Sequence, residues 1–309
     1  KLFQNHIIKL AQYSSFEIFF FTNNIRSKTD LDNFHKIKIF RIEEIDTLAH
    51  QIIELNLDFL IYLDVGMSTN SNIYSLFKLA KKQGCFWGHP VTTGSKNIDY
   101  FFSSELMEVK NSENHYLEKL VKFNNTGMSF NTTHLDKFLE KQKDNINDKF
   151  DFKVKKLFVL QNIEKISPQH DELYNNILNA SNDNIKLNFI ITRNNYCLMD
   201  IKRRFKKNIN KFNSIDFFSE LDLDKFLSHV STSYLALDTI NWSGGNTHLE
   251  ALYFNVPVVS MRGSFMRNNH SSAFLEVLDL EELIAKDIDD YNDIVLKLIK
   301  DEKYYSAIR

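Results

Sequence analysis

Short apolar runs rich in β-branched and aromatic residues recur along this chain, separated by longer stretches with helical spacing. No other feature constrains the fold as strongly. In the first half the runs are FEIFFF at 16–21, IKIF at 37–40, FLIYLD at 59–64 and CFWGH at 85–89. In the second they are KLFVLQ at 156–161, KLNFIIT at 186–192, SIDFF at 214–218, SYLALD at 233–238 and VPVVSM at 256–261. Strands that alternate with helices need crossover connections, so the sheets are expected to be mainly parallel. The intervening segments agree: Ile45, Leu48, Ile52, Ile53 and Leu55 follow one another at near-helical spacing ahead of the run at 59. Near the end, Tyr291, Ile294, Val295, Leu298 and Ile299 form a helical stripe with Lys and Asp between them. The fold class read from this pattern is α/β.

A chain of 309 residues is long for one core and suits two domains of roughly 100–200 residues each. The run THLDKFLEKQKDNINDKFDFK is polar, charged and without strand signal, which marks a boundary better than any other stretch. The expected organisation is an N-terminal domain over 1–130, a connection over 131–153 and a second α/β domain over 154–309 that ends in amphipathic helix. No internal repeat at the periods of helical or propeller arrays is visible, and the Asn/Lys richness is spread evenly.

Charge excludes some partners. Lys+Arg 38 against Asp+Glu 40 leaves a formal net charge of -2, so no global field favours nucleic acid or an anionic membrane, and an anionic ligand needs a local site. Cys85 and Cys197 form no CxxC or metal-ligand pair, which fits a reducing cytoplasm. No apolar run approaches the roughly 18 residues of a membrane span, and no signal peptide is visible. The chain opens at Lys1 in what reads as a helix, so a natural start upstream is expected.

Chemistry concentrates in LDTINWSGGNTHLEALYFNVPVV, residues 237–259. It reads as strand end, loop, helix and strand. A Gly-rich turn that feeds a helix N-terminus presents backbone N–H groups and the positive end of the helix dipole, which suits a phosphate. A loop at the C-terminal edge of a strand is where open α/β sheets bind ligands. Gly244 and Gly245 permit close approach; Asn246 or Thr247 can cap the helix and offer polar atoms to a diphosphate. Glu250, read as part of the first helical turn, can accept hydrogen bonds from the hydroxyls of a ribose. A plain tight turn followed by a dipole-favoured acid is an equally good reading of these residues alone.

The same segment, continued through SMRGSFMRNNHSSAFLEVLDLEELIA and DDYNDIVLKLIKDEKYYSAIR, resembles the C-terminal end of the O-GlcNAc transferase and SPINDLY family, its bacterial members above all. A second block, LDFLIYLDVGMSTNS through GCFWGHPVTTGSKNIDYFFSSELMEVKNSENHYLEKLVKF, resembles the same family's N-terminal catalytic half. The blocks stand in the family's order and nearly at its spacing. The resemblance implies a GT-B architecture, two facing Rossmann-like domains with parallel sheets and the donor nucleotide on the C-terminal one. It also implies an inverting, metal-independent transfer of a sugar from a nucleoside diphosphate, UDP-N-acetylglucosamine being the first-choice donor and GDP-fucose another. No cofactor and no metal are expected. The DLD at 222–224 has only the bare letters of a metal motif.

Lys165, after the run KLFVLQ, aligns with the family's phosphate-binding lysine. A lysine at a strand's C-terminal end can neutralise the charge that grows on a departing diphosphate, although a solvated lysine is the usual fate of that residue type. Asn162 aligns with a polar position beside the donor. His89, Thr92 and Thr93 lie in the shaped loop GHPVTTG at 88–94 and are expected to line the cleft on the acceptor side. Histidine titrates near neutrality and can move a proton from an acceptor hydroxyl, which makes His89 a candidate catalytic residue; a structural histidine bonding the loop is the blander reading. In GSFMRNNHSSA at 263–273, Arg267 and His270 are expected one turn apart on a helix, where Arg267 can attract an anionic donor.

Three departures from the family pattern stand out. Ser264, Asn268 and Asn269 occupy positions where relatives often carry Arg and Gly. His248 follows Thr247 where a small residue is usual. The family's first strand and its His-bearing loop, expected ahead of KLFQNHIIKL, are not in this chain, and His6 belongs to the helix after that loop, so the base is expected upstream. The expected partners are a nucleotide sugar and a protein or glycan acceptor, with helical repeats upstream. An inert GT-B shell that binds a nucleotide sugar or serves as a scaffold, and an epimerase on the same fold, are the alternatives.

Overall fold

The computed structural model describes residues 2–22, 36–41, 45–142, 153–180, 184–191, 195–219 and 221–309. The chain divides into two compact units, Lys1–Asn131 and Thr132–Arg309. Of the connection expected over 131–153, residues 143–152 lie outside the described residues, while Thr133–Gln142 is a helix.

In the first unit, helix α1 (Gln4–Tyr13) precedes strands β1 (Ile18–Thr22) and β2 (Ile37–Arg41), which pair in parallel with Ile18 opposite Ile37. Helix α2 (Ile45–Glu54) follows, with Leu48 and Ile52 buried and Ile53 turned to solvent. Then come β3 (Phe59–Tyr62), α3 (Thr69–Ser75), β4 (Lys82–Phe86), β5 (Tyr100–Ser104) and β6 (Lys119–Phe123), whose strands form a parallel sheet in sequence order. Strands β5 and β6 had no counterpart among the apolar runs, because KLVKF is interrupted by lysines and YFFSS is short and ends in serines.

The second unit opens with α4 (Thr133–Gln142) and continues β7 (Lys155–Val159), α5 (Gln169–Ala180), β8 (Ile185–Ile191), α6 (Asn195–Asn208), β9 (Ile215–Ser219), α7 (Leu223–Ser231), β10 (Leu235–Leu237), α8 (Asn246–Tyr253), β11 (Val258–Met261), α9 (His270–Val277), β12 (Ile284–Ala285), α10 (Ile288–Lys300) and α11 (Glu302–Ile308). Every strand pair is parallel, and the sheet order is β12-β11-β10-β7-β8-β9. Counted from β7 as the first, this is the doubly wound order 3-2-1-4-5-6 read from its other edge. The chain therefore winds outward one way through β8 and β9, then returns beside β7 to wind the other way through β10, β11 and β12. The α/β class with parallel sheets is borne out in both units.

A parallel sheet has both faces covered, so its strands read as nearly continuous apolar runs. In β7 and β10, Leu157, Phe158, Val159, Leu235, Ala236 and Leu237 are all fully buried. On one face an aromatic cluster fills the space between β8, β9, α5 and α6: Phe189 stacks on Phe217 at 5.4 Å and meets Tyr174 edge-on at 5.5 Å, with Phe205 at 5.4 Å. The stripe of α10 closes the other end of that core, with Tyr291, Val295, Leu298 and Ile299 buried and the Tyr291 hydroxyl donating to the carbonyls of Asp238 and Val259.

Phe189→Ala should empty a space that three aromatic neighbours cannot close, at a cost of about 3–5 kcal/mol. Urea unfolding followed by circular dichroism measures this; a loss under about 1 kcal/mol would mean the cluster is not the packed core described.

Candidate functional site

The two loops that matter leave the same edge of the sheet. Strands β7 and β10 are parallel neighbours, Leu157 opposite Leu235 and Phe158 opposite Ala236. They are also the two strands between which the winding reverses, so their C-terminal loops diverge and leave a crevice at the switch point. Strand β7 runs on through Leu160, Gln161 and Asn162 into a single 3-10 turn, Ile163–Lys165. Strand β10 runs into Asp238 and the loop that ends at Gly245, where α8 begins.

Side chains from the two loops meet there. The Lys165 ammonium donates to Gln161 Oε1 at 2.8 Å, and Gln161 Nε2 donates to Thr247 Oγ1 at 3.2 Å, a chain from the end of β7 to the start of α8. The ammonium also lies 5.8 Å from the centre of the Trp242 ring, and the Arg267 guanidinium lies 5.8 Å from that same ring and 4.3 Å from the ring of Phe265. Two cations thus share one half-buried indole, a favourable arrangement for each charge separately. Burial pushes the Lys165 ammonium down to about 8, against the opposing pull of the Asp238 carboxylate. A lysine so placed has lost much of its water, which makes an incoming anion a strong partner.

The glycine loop is fixed from beneath. The buried Asp238 carboxylate accepts from the Thr239 and Gly244 backbone N–H groups at 2.9 and 2.8 Å and from the Ser243 and Ser260 hydroxyls at 2.6 and 2.7 Å. Ser271, first turn of α9, donates its N–H to Ser243 Oγ at 2.9 Å and its hydroxyl to the Gly244 carbonyl at 3.1 Å. His248 Nδ1 lies 2.6 Å from Ser271 Oγ, and burial lowers the pKa of His248, so the imidazole beneath the loop is held neutral. His270 is pushed down to about 4 by burial, with the Lys165 charge acting in the same direction.

The glycines differ in what they permit. A Cβ on Gly244 would lie 2.3 Å from both Gln161 Nε2 and His248 Nδ1, whereas a Cβ on Gly245 would meet no heavy atom within 4 Å. Gly244 is therefore required for packing and Gly245 faces open space at the head of α8.

Several expectations need correction. The N-cap of α8 is Gly245, with no side-chain cap bond, so neither Asn246 nor Thr247 caps the helix; the Thr247 hydroxyl is turned to Gln161 instead. Glu250 is the fifth residue of α8 rather than part of its first turn, and its buried carboxylate lies 2.9 Å from His134 Nε2. Arg267 and His270 do not share a helix: Arg267 is on a 3-10 turn, Met266–Asn268, and His270 opens α9. The DLD letters serve a helix end, Asp222 capping α7 by accepting from the Lys225 N–H at 2.8 Å. Asn162 ends β7's loop with its amide donating to Glu164 at 3.2 Å.

In the first unit, the GHPVTTG loop follows β4. Thr92 Oγ1 donates to Glu118 Oε2 at 2.7 Å, and the Thr93 N–H and hydroxyl both donate to Glu118 Oε1, the former at 2.7 Å. These threonines tie the loop to the residue ahead of β6. The His89 ring packs on Gly66, which adopts φ +103 and leaves no room for a side chain there.

Gln161, Asp238, Trp242 and Ser271 were not singled out from the sequence. Asp238 and Trp242 had a signal, an acid closing an apolar strand and an indole inside a Gly-rich loop. Gln161 and Ser271 acquire their roles only from neighbours 86 and 28 positions away in the chain. Among the described residues, no group of three or more His, Cys, Asp or Glu side chains is placed to hold a metal ion, and no helix is long and apolar enough to cross a membrane.

Gly244→Ala should destabilise the second unit by about 1–3 kcal/mol through overpacking, and Gly245→Ala by less. Thermal unfolding of the two variants checks this; the reverse order would place the close contact at the wrong glycine.

Comparison with known proteins bears on the fold and the family. Residues 163–309 match the model of glycosyl transferase family 41. A probable UDP-N-acetylglucosamine–peptide N-acetylglucosaminyltransferase SPINDLY of Solanum lycopersicum is 24% identical over 294 residues, 93% of this chain and 30% of that protein. Its counterpart in Hordeum vulgare is 24% identical over 277 residues, 88% of this chain and 28% of that protein. The chain thus spans about three tenths of the length of these relatives. Among solved structures, a mutant O-GlcNAc transferase of Thermobaculum terrenum superposes with a TM-score of 0.78 at 20% identity, covering 98% of this chain and 58% of that one. WaaG, a glycosyltransferase involved in lipopolysaccharide biosynthesis, gives a TM-score of 0.51 at 8% identity over 99% of this chain and 89% of that one. The GT-B fold class is borne out by these likenesses, and so is the resemblance to the O-GlcNAc transferase and SPINDLY family, residues 163–309 matching the glycosyl transferase family 41 model.

Proposed function

We propose that the second unit binds the nucleoside diphosphate of a sugar donor at the β7/β10 switch point and that the chain belongs to an enzyme transferring that sugar to a hydroxyl. The observation that carries this reading is the chain of hydrogen bonds Lys165–Gln161–Thr247, which joins the end of β7 to the first turn of α8, with the Trp242 ring beside the ammonium and open space over Gly245 at the helix head. It brings a partly desolvated ammonium to the same crevice as the N-terminus of α8, the two groups that a diphosphate calls for. UDP-N-acetylglucosamine is the proposed donor, since the SPINDLY relatives are described by that substrate; a protein is the proposed acceptor on the same ground, a glycan the second choice.

As the bond to the sugar breaks, negative charge grows on the β-phosphate, and Lys165 stands where it neutralises that charge without reorganising. Arg267, across the Trp242 ring, adds a second positive charge to the approach. Glu250 is proposed to meet the ribose hydroxyls. Because the protein residues supply this charge, the transfer is proposed to require no metal; that it is inverting is proposed on the family resemblance alone. His89 remains the candidate in the first unit for contact with the acceptor.

Titration of the protein with UDP and, separately, GDP by calorimetry tests the reading. One nucleotide should bind, and Lys165→Ala should lower its affinity at least tenfold, about 1.4 kcal/mol, with the fold kept. Affinity should also fall as pH rises through about 8, where Lys165 loses its charge. Failure of both nucleotides to bind would favour the inert shell; binding indifferent to Lys165→Ala would move the site elsewhere.

A further inference from the structure

We infer that His134 is a positioning residue for the nucleoside half of the donor, holding the Glu250 carboxylate in the orientation that receives the ribose hydroxyls. The inference rests on the donor-site reading above.

Helix α4 precedes the sheet in the chain, yet it lies against α8, the helix that heads the phosphate loop. Phe138 packs edge-on against Phe254 at 5.7 Å, the Tyr253 hydroxyl donates to Asp136, and Lys141 pairs with Asp224 of α7 at 2.9 Å. At the end of this contact nearest the glycine loop, His134 Nε2 lies 2.9 Å from Glu250 Oε1. Glu250 is 3% exposed. A carboxylate that deep needs partners, and a hydrogen-bond donor at Oε1 restricts how it can turn. An imidazole N–H given to Oε1 holds that edge of the carboxylate toward α4 and so sets the direction from which a pair of ribose hydroxyls would donate to the group. A carboxylate free to rotate would have to be ordered at the moment of binding, at a cost in affinity.

Within the chain, α4 is therefore tied to the helix behind the glycine loop by a hydrogen bond between residues 116 apart in sequence. Lys165 and the α8 N-terminus address the diphosphate; His134 acts only through Glu250, on the sugar of the nucleoside. The two halves of the nucleotide are separable by experiment.

UDP and inorganic pyrophosphate are titrated into wild type, His134→Ala, His134→Gln and Glu250→Ala, each checked by thermal unfolding. Loss of the N–H donor should weaken UDP roughly tenfold in His134→Ala while pyrophosphate affinity stays as in wild type; His134→Gln, whose amide can donate, should recover most of the loss. UDP affinity unchanged in His134→Ala but reduced in Glu250→Ala overturns the positioning role and leaves the ribose assignment standing. Equal loss of UDP and pyrophosphate in His134→Ala overturns it too, since the effect then acts on the loop as a whole. No effect on UDP from Glu250→Ala removes the ribose assignment and this inference with it, while the diphosphate site stands; no UDP binding in wild type removes the donor-site reading as well.

Discussion

One buried carboxylate organises the site. Asp238 ends the strand beside the switch point, and its two oxygens collect two backbone N–H groups and two serine hydroxyls. A charge removed from water is tolerable only when its lone pairs are satisfied in this way. Its satisfaction fixes Ser243 and Gly244, and through them the direction in which the chain enters α8. Were the four donors scattered, the loop would sample many conformations, and neither the Gly245 face nor the Gln161–Thr247 bond would have a defined place.

The electrostatics follow from the same group. Asp238 is near enough to raise the pKa of Lys165 yet makes no direct bond to it; burial prevails and the ammonium is held down to about 8. The lysine is bonded to the neutral Gln161 and faces an indole rather than a carboxylate. Arg267 is likewise set on aromatic rings. Cations that rest on neutral and aromatic partners keep most of their attraction for an incoming anion, whereas a tight salt bridge would have to be broken first. Beneath them, His248 and His270 are kept neutral by burial, so they add no competing charge to the crevice.

Much of this was legible in the sequence. Continuous apolar runs such as KLFVLQ and SYLALD signal strands buried on both faces, and Lys165 and the Gly244–Gly245 pair lie in the loops that follow these two. What the sequence concealed is pairing at a distance. That β7 lies beside β10 rather than only β8 is a matter of sheet order, and it is this adjacency that joins Gln161 to Thr247. Helix boundaries decided the misassigned caps: reading α8 as starting one or two residues later made Asn246 or Thr247 the cap, whereas Gly245 takes that place and frees the Thr247 hydroxyl. The short strands Tyr100–Ser104 and Lys119–Phe123 escaped notice because their patterns resemble loops. His134 was hidden in a charged run whose first part folds as a helix against α8.

The most direct measurement is a crystal structure of the protein grown with UDP. The account predicts diphosphate oxygens within hydrogen-bonding distance of Lys165 Nζ and of the backbone N–H groups at the start of α8, over Gly245, with the ribose beside Glu250. A nucleotide ordered anywhere else, or a diphosphate bound away from Lys165, would contradict it.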